Sequence, residues 1–125
     1  MSAEFGAVVL GTPDPPALAA FYRALLGWET VGEEAADWVR LRDPARERPG
    51  LSFQLEPAFA PPAWPARPGA PRMLLHLDLL VDDLGAEVDR AVRLGATVEA
   101  HQPQDGVRVL RDPHGHVFCL FLPGW

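Results

Sequence analysis

The chain has 125 residues, of which 48% are hydrophobic and 22% charged, and its formal net charge is -6. This composition is typical of a folded globular protein, and the length suits one domain. Nucleic acids and anionic membrane surfaces are bound through concentrations of basic residues, so the acidic excess argues against both as partners. No apolar run approaches the roughly eighteen residues of a membrane span.

Cysteine usage and the first residues bear on the cellular compartment. The single cysteine, Cys119, excludes an internal disulfide. The opening residues, MSAEFGAVVLG, lack the basic segment and long apolar run of a secretory signal. We therefore expect a cytoplasmic protein.

The first part of the chain predicts a strand, a helix and three further strands. The apolar run FGAVVLGT at 5–12 is typical of a strand. Asp14 followed by Pro15 predicts a helix start, and Gly27 predicts its end. The segments WETV, DWVRLRD and LSFQLE predict the three strands. The apolar face of the helix is expected to comprise Leu18, Phe21, Tyr22 and Leu25.

A proline-rich segment follows at 57–71, where six of the residues are proline. Proline has no backbone N–H for a sheet ladder, so this segment is predicted to be a loop or linker. Its aromatic residues, Phe59 and Trp64, leave two interpretations open. The segment is either a stiff connector or a loop folded over the mouth of a cavity.

The same order of elements recurs after the linker. MLLHLDLLV predicts a strand, Asp82 or Asp83 a helix start, and Gly95 a helix end. TVEAHQ, GVRVLRD and VFCLFLP predict strands, and DPHG at 112–115 a tight turn. The expected apolar face of this helix comprises Leu84, Val88, Ala91 and Val92. We predict one domain over residues 1–125, with a first module at about 4–57, the linker at 57–71 and a second module at about 72–123.

Several segments in this order resemble a known family. They are ALAAFYRALLGWE, DWVRLRDP, RMLLHLDLLVDDL, LGAT and DPHGHVFCL. The chain is similar to the vicinal oxygen chelate superfamily of glyoxalase I, extradiol dioxygenases and bleomycin-resistance proteins, and to its small glyoxalase-like domain proteins in particular. The resemblance implies an α+β fold of two βαβββ modules, forming a curved mixed sheet with an internal cup and helices outside. It also implies a homodimer.

Strand alternation predicts which side chains line the cup, because successive side chains point to opposite faces. Leu75, Leu77, Leu79 and Val81 are expected to cover the helices, which leaves His76 and Asp78 facing the cup. The same argument on the other strands gives a lining of Ala7, Val9, Trp38, Arg40, Ser52, Gln54, Glu56, His76, Asp78, Val117, Cys119 and Phe121, with Arg108 as an optional member. Of these, the predicted ligand-binding residues are His76, Asp78, Gln54, Glu56, Trp38, Arg40 and Cys119.

The resemblance also implies where a metal would be held. The corresponding positions are Ala7, Gln54, His76 and Cys119. Ala7 has no donor atom, Gln54 is a weak neutral ligand, and Cys119 suits zinc or is simply a small buried residue. We therefore expect no metal and no cofactor.

Three functions remain open for the pair His76 and Asp78, whose backbones on one strand face would be about 7 Å apart. The first is metal-independent binding or sequestering of a small molecule. The second is a lyase or isomerase with His76 as acid or base, Asp78 orienting it, and a metal assisting in one version. The third is a structural or interaction module in which the pair stabilises the sheet. Apolar walls, Trp38 and the missing donor at Ala7 favour the first.

Overall fold

The computed structural model describes residues 2–125, which divide into two compact units: one ends at Phe59, and the other comprises Ala60–Trp125. The first unit contains β1 (Ala7–Thr12), α1 (Pro15–Leu26), β2 (Glu29–Glu34), β3 (Trp38–Arg42) and β4 (Gly50–Leu55). The second contains β5 (Leu77–Leu80), α2 (Leu84–Leu94), β6 (Thr97–Val98), β7 (Val107–Arg111) and β8 (Val117–Phe121).

Each unit forms one four-stranded mixed sheet. The strand order is β1-β4-β3-β2 in the first and β5-β8-β7-β6 in the second. In both sheets the first strand pairs in parallel with the last, and the other pairs are antiparallel. The α+β class and the repeated βαβββ module are confirmed. No helix within residues 2–125 has both the length and the apolar character needed to cross a membrane.

Helix α1 forms as its sequence predicts. The Asp14 carboxylate accepts a hydrogen bond from the Ala17 backbone N–H at 3.2 Å, and Gly27 ends the helix at φ 70°. The whole expected apolar face is buried, and Tyr22 stacks on Phe53 of β4 with ring centroids 5.7 Å apart. Burial of this face fixes α1 on the first sheet.

Helix α2 keeps its predicted ends but not its predicted burial. Asp83 caps it through the Ala86 N–H at 3.0 Å, yet Ala91 is the single buried residue of the helix. Val92 is 45% exposed, so its assignment to the core is wrong. The reason is the smaller sheet beneath, in which β5 and β6 have 4 and 2 residues against 6 each for β1 and β2.

Strand β5 is shorter than the leucine-rich pattern predicts. Its parallel ladder begins at the pair Leu77–Phe118, because β8 itself begins only one residue earlier. Leu75 lies before the ladder and is 59% exposed, so its predicted place in the core is wrong. Within β5, Leu77 is half-buried while Asp78 is exposed, which preserves the predicted alternation. His76 therefore lies just outside the strand.

Strand β6 also stops early, because the Gln102 side chain takes the backbone hydrogen bonds of β7 that a longer β6 would make. The Gln102 amide donates to the Val109 carbonyl and accepts from the Val109 N–H, both at 2.8 Å. The backbone beyond Val98 is thereby released from pairing with β7 except at the Glu99 N–H. The predicted strand TVEAHQ consequently reduces to two residues.

The predicted DPHG turn is present and is held by a buried carboxylate. Gly115 N–H donates to the Asp112 carbonyl at 3.0 Å. The Asp112 side chain accepts from the His114 and His116 N–H groups and lies 2.8 Å from the His116 ring. The buried Asp112 carboxylate therefore stabilises the turn through the backbone of both histidines and the ring of His116.

Replacing Gly115 by alanine is expected to lower the free energy of unfolding by about 1–3 kcal/mol. Gly115 has φ +98°, and an added Cβ would lie 2.8 Å from the Pro61 ring. Chemical denaturation measures the change. The control is Gly6→Ala, where nothing lies within 4 Å of the new Cβ. An equal loss in both variants would contradict the prediction.

Candidate functional site

The structure brings three of the predicted site residues together in the second unit. The parallel register sets Asp78 of β5 directly opposite Cys119 of β8. His76 lies two residues before Asp78, and its Nε2 is 2.9 Å from the Asp78 Oδ1. The donor atoms of all three side chains lie within 4.8 Å of one another. A ring nitrogen, a carboxylate and a thiol thus converge at one point on the sheet.

Burial and charge determine the state of the thiol. Cys119 is 7% exposed. Loss of solvent raises its pKa to about 11, and the negative charge of Asp78 and a hydrogen bond to it act in the same direction. The thiol is therefore protonated at neutral pH and donates to Asp78. The Asp78 carboxylate also contacts the His76 imidazole. The side chains of His76 and Asp78 are 35% and 58% exposed. Both side chains are therefore partly open to solvent.

An apolar wall adjoins this polar group. Val109 and Val117 form a buried cluster with Cys119. The half-buried side chains that pack against this cluster are Trp64, Met73 and Val107. Cys119 belongs to both groups, so the apolar wall and the His76–Asp78 pair are continuous.

The proline-rich segment reaches the wall through specific contacts within the second unit. Trp64 Nε1 donates to the His101 carbonyl at 3.1 Å, and the two rings are 5.8 Å apart. Ala63 N–H donates to the Pro71 carbonyl at 2.9 Å. Arg111 Nη1 donates to the Pro62 carbonyl at 2.7 Å. These bonds fix the position of Trp64 against the cluster.

The other predicted ligand-binding residues lie in the first unit. Trp38 and Arg40 are on β3, Gln54 is on β4, and Glu56 follows it. Trp38 pairs across the ladder with Gln54, which places them side by side. Arg40, Gln54 and Glu56 are exposed. Their binding role stays a prediction.

Alkylation of Cys119 by iodoacetamide is expected to be slow in the metal-free protein. A thiol of pKa about 11 instead of 9.0 holds roughly one-hundredth of the thiolate at pH 8, and thiolate is the nucleophile. We expect at least a tenfold lower rate than for a free cysteine peptide, rising as the pH rises toward 11. Mass spectrometry follows the modification. The guanidinium-unfolded chain is the control, and equal rates in both states would contradict the shift.

Comparison with known proteins identifies the class. A family model described as a glyoxalase-like domain matches residues 7–121. The chain therefore belongs to the glyoxalase-like domain family, and its fold is that of the vicinal oxygen chelate superfamily. No curated protein matches it significantly.

Solved structures agree on the fold. A glyoxalase/bleomycin resistance protein/dioxygenase family enzyme from Burkholderia phytofirmans PsJN is 21% identical, with TM-score 0.70, over 96% of this chain and 98% of that one. A lactoylglutathione lyase from Agrobacterium tumefaciens is 20% identical, with TM-score 0.64, over 99% and 98%. TnmS3, an antibiotic binding protein from Streptomyces sp. CB03234, is 20% identical, with TM-score 0.61, over 98% of each chain.

Proposed function

We propose that the protein binds a small molecule at the second unit, between the apolar wall and the His76–Asp78 pair. One observation carries the proposal. A hydrogen-bonded polar pair, partly open to solvent, is continuous through Cys119 with the apolar surface formed by Trp64, Met73 and Val107. Apolar walls with a few convergent polar groups are the usual composition of a small-molecule site. Such binding is metal-independent, since both polar groups can bond a ligand directly.

The groups present define the class of ligand. Trp64 and Met73 suit an aromatic or branched apolar body. The Asp78 carboxylate suits a hydrogen-bond donor or a cation at one end of that body. The similarity to an antibiotic-binding protein supports this class. A cytoplasmic location belongs to the same proposal.

The test is a thermal-shift screen of amphipathic aromatic amines and polycyclic aromatic compounds, performed in EDTA. Calorimetry then gives Kd for each compound that binds. We expect Trp64→Ala and Asp78→Asn each to weaken binding at least about tenfold, equivalent to about 1.4 kcal/mol. The controls are Phe5→Ala, at a residue 65% exposed in the first unit, and Asp89→Asn, at an exposed residue of α2. A screen without binders, or equal losses in the controls, would refute the proposal.

Acid–base catalysis is a second candidate function. The 2.9 Å contact between His76 and Asp78 favours it, because a carboxylate that orients an imidazole is an arrangement used in proton transfer. A lyase or isomerase of this type would exchange a ligand C–H for deuterium from solvent. His76→Ala would abolish that exchange while changing Kd little. Exchange at equal rates in both proteins would exclude this role.

Homodimer formation is part of the proposal as well. Leu74 and Leu75, directly before β5, are 92% and 59% exposed, and adjacent exposed leucines favour contact with another chain. Light scattering after gel filtration is expected to give twice the mass of the chain. A monomeric mass at micromolar concentration would contradict it.

A further inference from the structure

We propose that His76, Asp78 and Cys119 form a zinc-binding site. An imidazole nitrogen just before β5, a carboxylate oxygen on β5 and a thiol sulfur on the neighbouring β8 lie within 4.8 Å of one another. These are the three donor types that proteins use for Zn²⁺. The ion is additional to the proposed small-molecule binding, which needs none.

The spacing of the donors fits a tetrahedral ion. Zinc bonds of about 2.0–2.3 Å at tetrahedral angles separate neighbouring ligand atoms by about 3.3–3.6 Å. The observed separations run from 2.9 Å between His76 and Asp78 to at most 4.8 Å within the group. Side-chain rotations that move donor atoms by about 1 Å would complete the geometry. The backbone need not move, because the ladder already fixes Asp78 opposite Cys119.

The donor set selects the kind of metal. A sulfur and an imidazole favour zinc over magnesium or calcium, which prefer oxygen ligands. Three protein ligands leave a fourth position, which the exposed side chains of His76 and Asp78 direct toward solvent. Binding replaces the thiol proton of Cys119 by the ion, so each zinc bound releases that proton.

This site differs from the one that family resemblance implies. Of those positions, Ala7 offers no donor atom, and Gln54 lies on β4 of the first unit. Asp78, which lies on β5 two residues after His76, supplies the third donor instead. All three proposed ligands therefore come from the second unit. The proposal predicts that zinc binding requires Asp78 and does not require Gln54.

Cobalt substitution tests the site without any organic ligand. The full chain, free of a histidine tag and stripped with a chelator, is titrated with Co²⁺. We expect one ion per chain, a near-ultraviolet band from cobalt–thiolate charge transfer, and loss of that band when Zn²⁺ is added. Elemental analysis of the zinc form gives the stoichiometry.

Variants then locate the ion. Asp78→Asn and Cys119→Ser are expected to weaken zinc binding by more than the roughly 10–100-fold that loss of an outer-shell partner costs. Asp78 is exposed, so its variant keeps the fold if burial of Cys119 makes the serine variant unstable. Gln54→Ala and Asp89→Asn are the controls and should bind as the parent does. Absence of the band in the parent, unchanged affinity for the ion in Asp78→Asn, or a loss of affinity in Gln54→Ala would each overturn the proposal. Ligand binding measured in EDTA remains a separate result.

Discussion

Replacing Phe53 by alanine is expected to lower the free energy of unfolding by about 3–5 kcal/mol. The Phe53 side chain is fully buried on β4, where it stacks on Tyr22 of α1 and pairs with Val39 of β3. Truncation removes the transfer free energy of the ring and leaves a cavity that rigid neighbours fill only partly. Denaturant unfolding, monitored by circular dichroism, measures the loss.

A matched phenylalanine provides the control for this result. Phe5 lies before β1 and is 65% exposed. Phe5→Ala should change the unfolding free energy by no more than about 0.5 kcal/mol, as is usual for surface substitutions. If both variants lost the same amount, the core of the first unit would not lie between α1 and β4.

Replacing Arg111 by alanine is expected to destabilise the second unit by about 2–3 kcal/mol. This loss is smaller than for a fully buried ion pair, because about a fifth of the Arg111 and Glu99 side chains is exposed to solvent. The Arg111 guanidinium pairs with Glu99 and donates to the carbonyls of Pro62 and Gly115. Its removal leaves a partly buried carboxylate and two carbonyls without these donors.

The same substitution is expected to disturb the site. Arg111 ties residue 62 to the sheet two residues before Trp64. Without that bond, hydrogen exchange at the Ala63 N–H should accelerate, and ligand binding should weaken although Arg111 does not line the wall. Arg48→Ala is the control, because the pairs of Arg48 with Glu4 and Glu47 are exposed and contribute little. Unchanged exchange at Ala63 in Arg111→Ala would contradict this role.

Local signals predicted the helix ends and the succession of helices and strands along the chain well. Asp14 and Gly27 act at the ends of α1 as their chemistry dictates, and the same holds for Asp83 and Gly95 at α2. Burial of the helix faces was less predictable, because it depends on the size of the sheet beneath each helix and not only on the spacing of apolar residues. Val92 has the spacing of a core residue, but the short strands of the second sheet do not cover it.

The placement of His76 and Asp78 on one side was predictable from strand alternation, whereas the register beside Cys119 is known only from the structure. Period two places His76 and Asp78 on one side, and the parallel pairing of β5 with β8 brings Cys119 beside them. The contribution of Trp64 was open, since nothing in a proline-rich segment indicates which surface it packs on. Hydrogen bonds from Arg111 and to the His101 carbonyl decide that, and both partners are distant in sequence. Nothing in the sequence except their apolar character indicates that Met73 and Val107 lie at the site.

Binding at the second unit is tested most directly by ¹H–¹⁵N NMR of the metal-free chain titrated with an aromatic amine found in the screen. The account predicts saturable shifts of the Trp64 indole N–H and of the backbone amides of His76, Asp78 and Cys119. Residues of α1 should be unaffected. Shifts confined to the first unit, or no saturable shift with any compound tested, would contradict the proposed site.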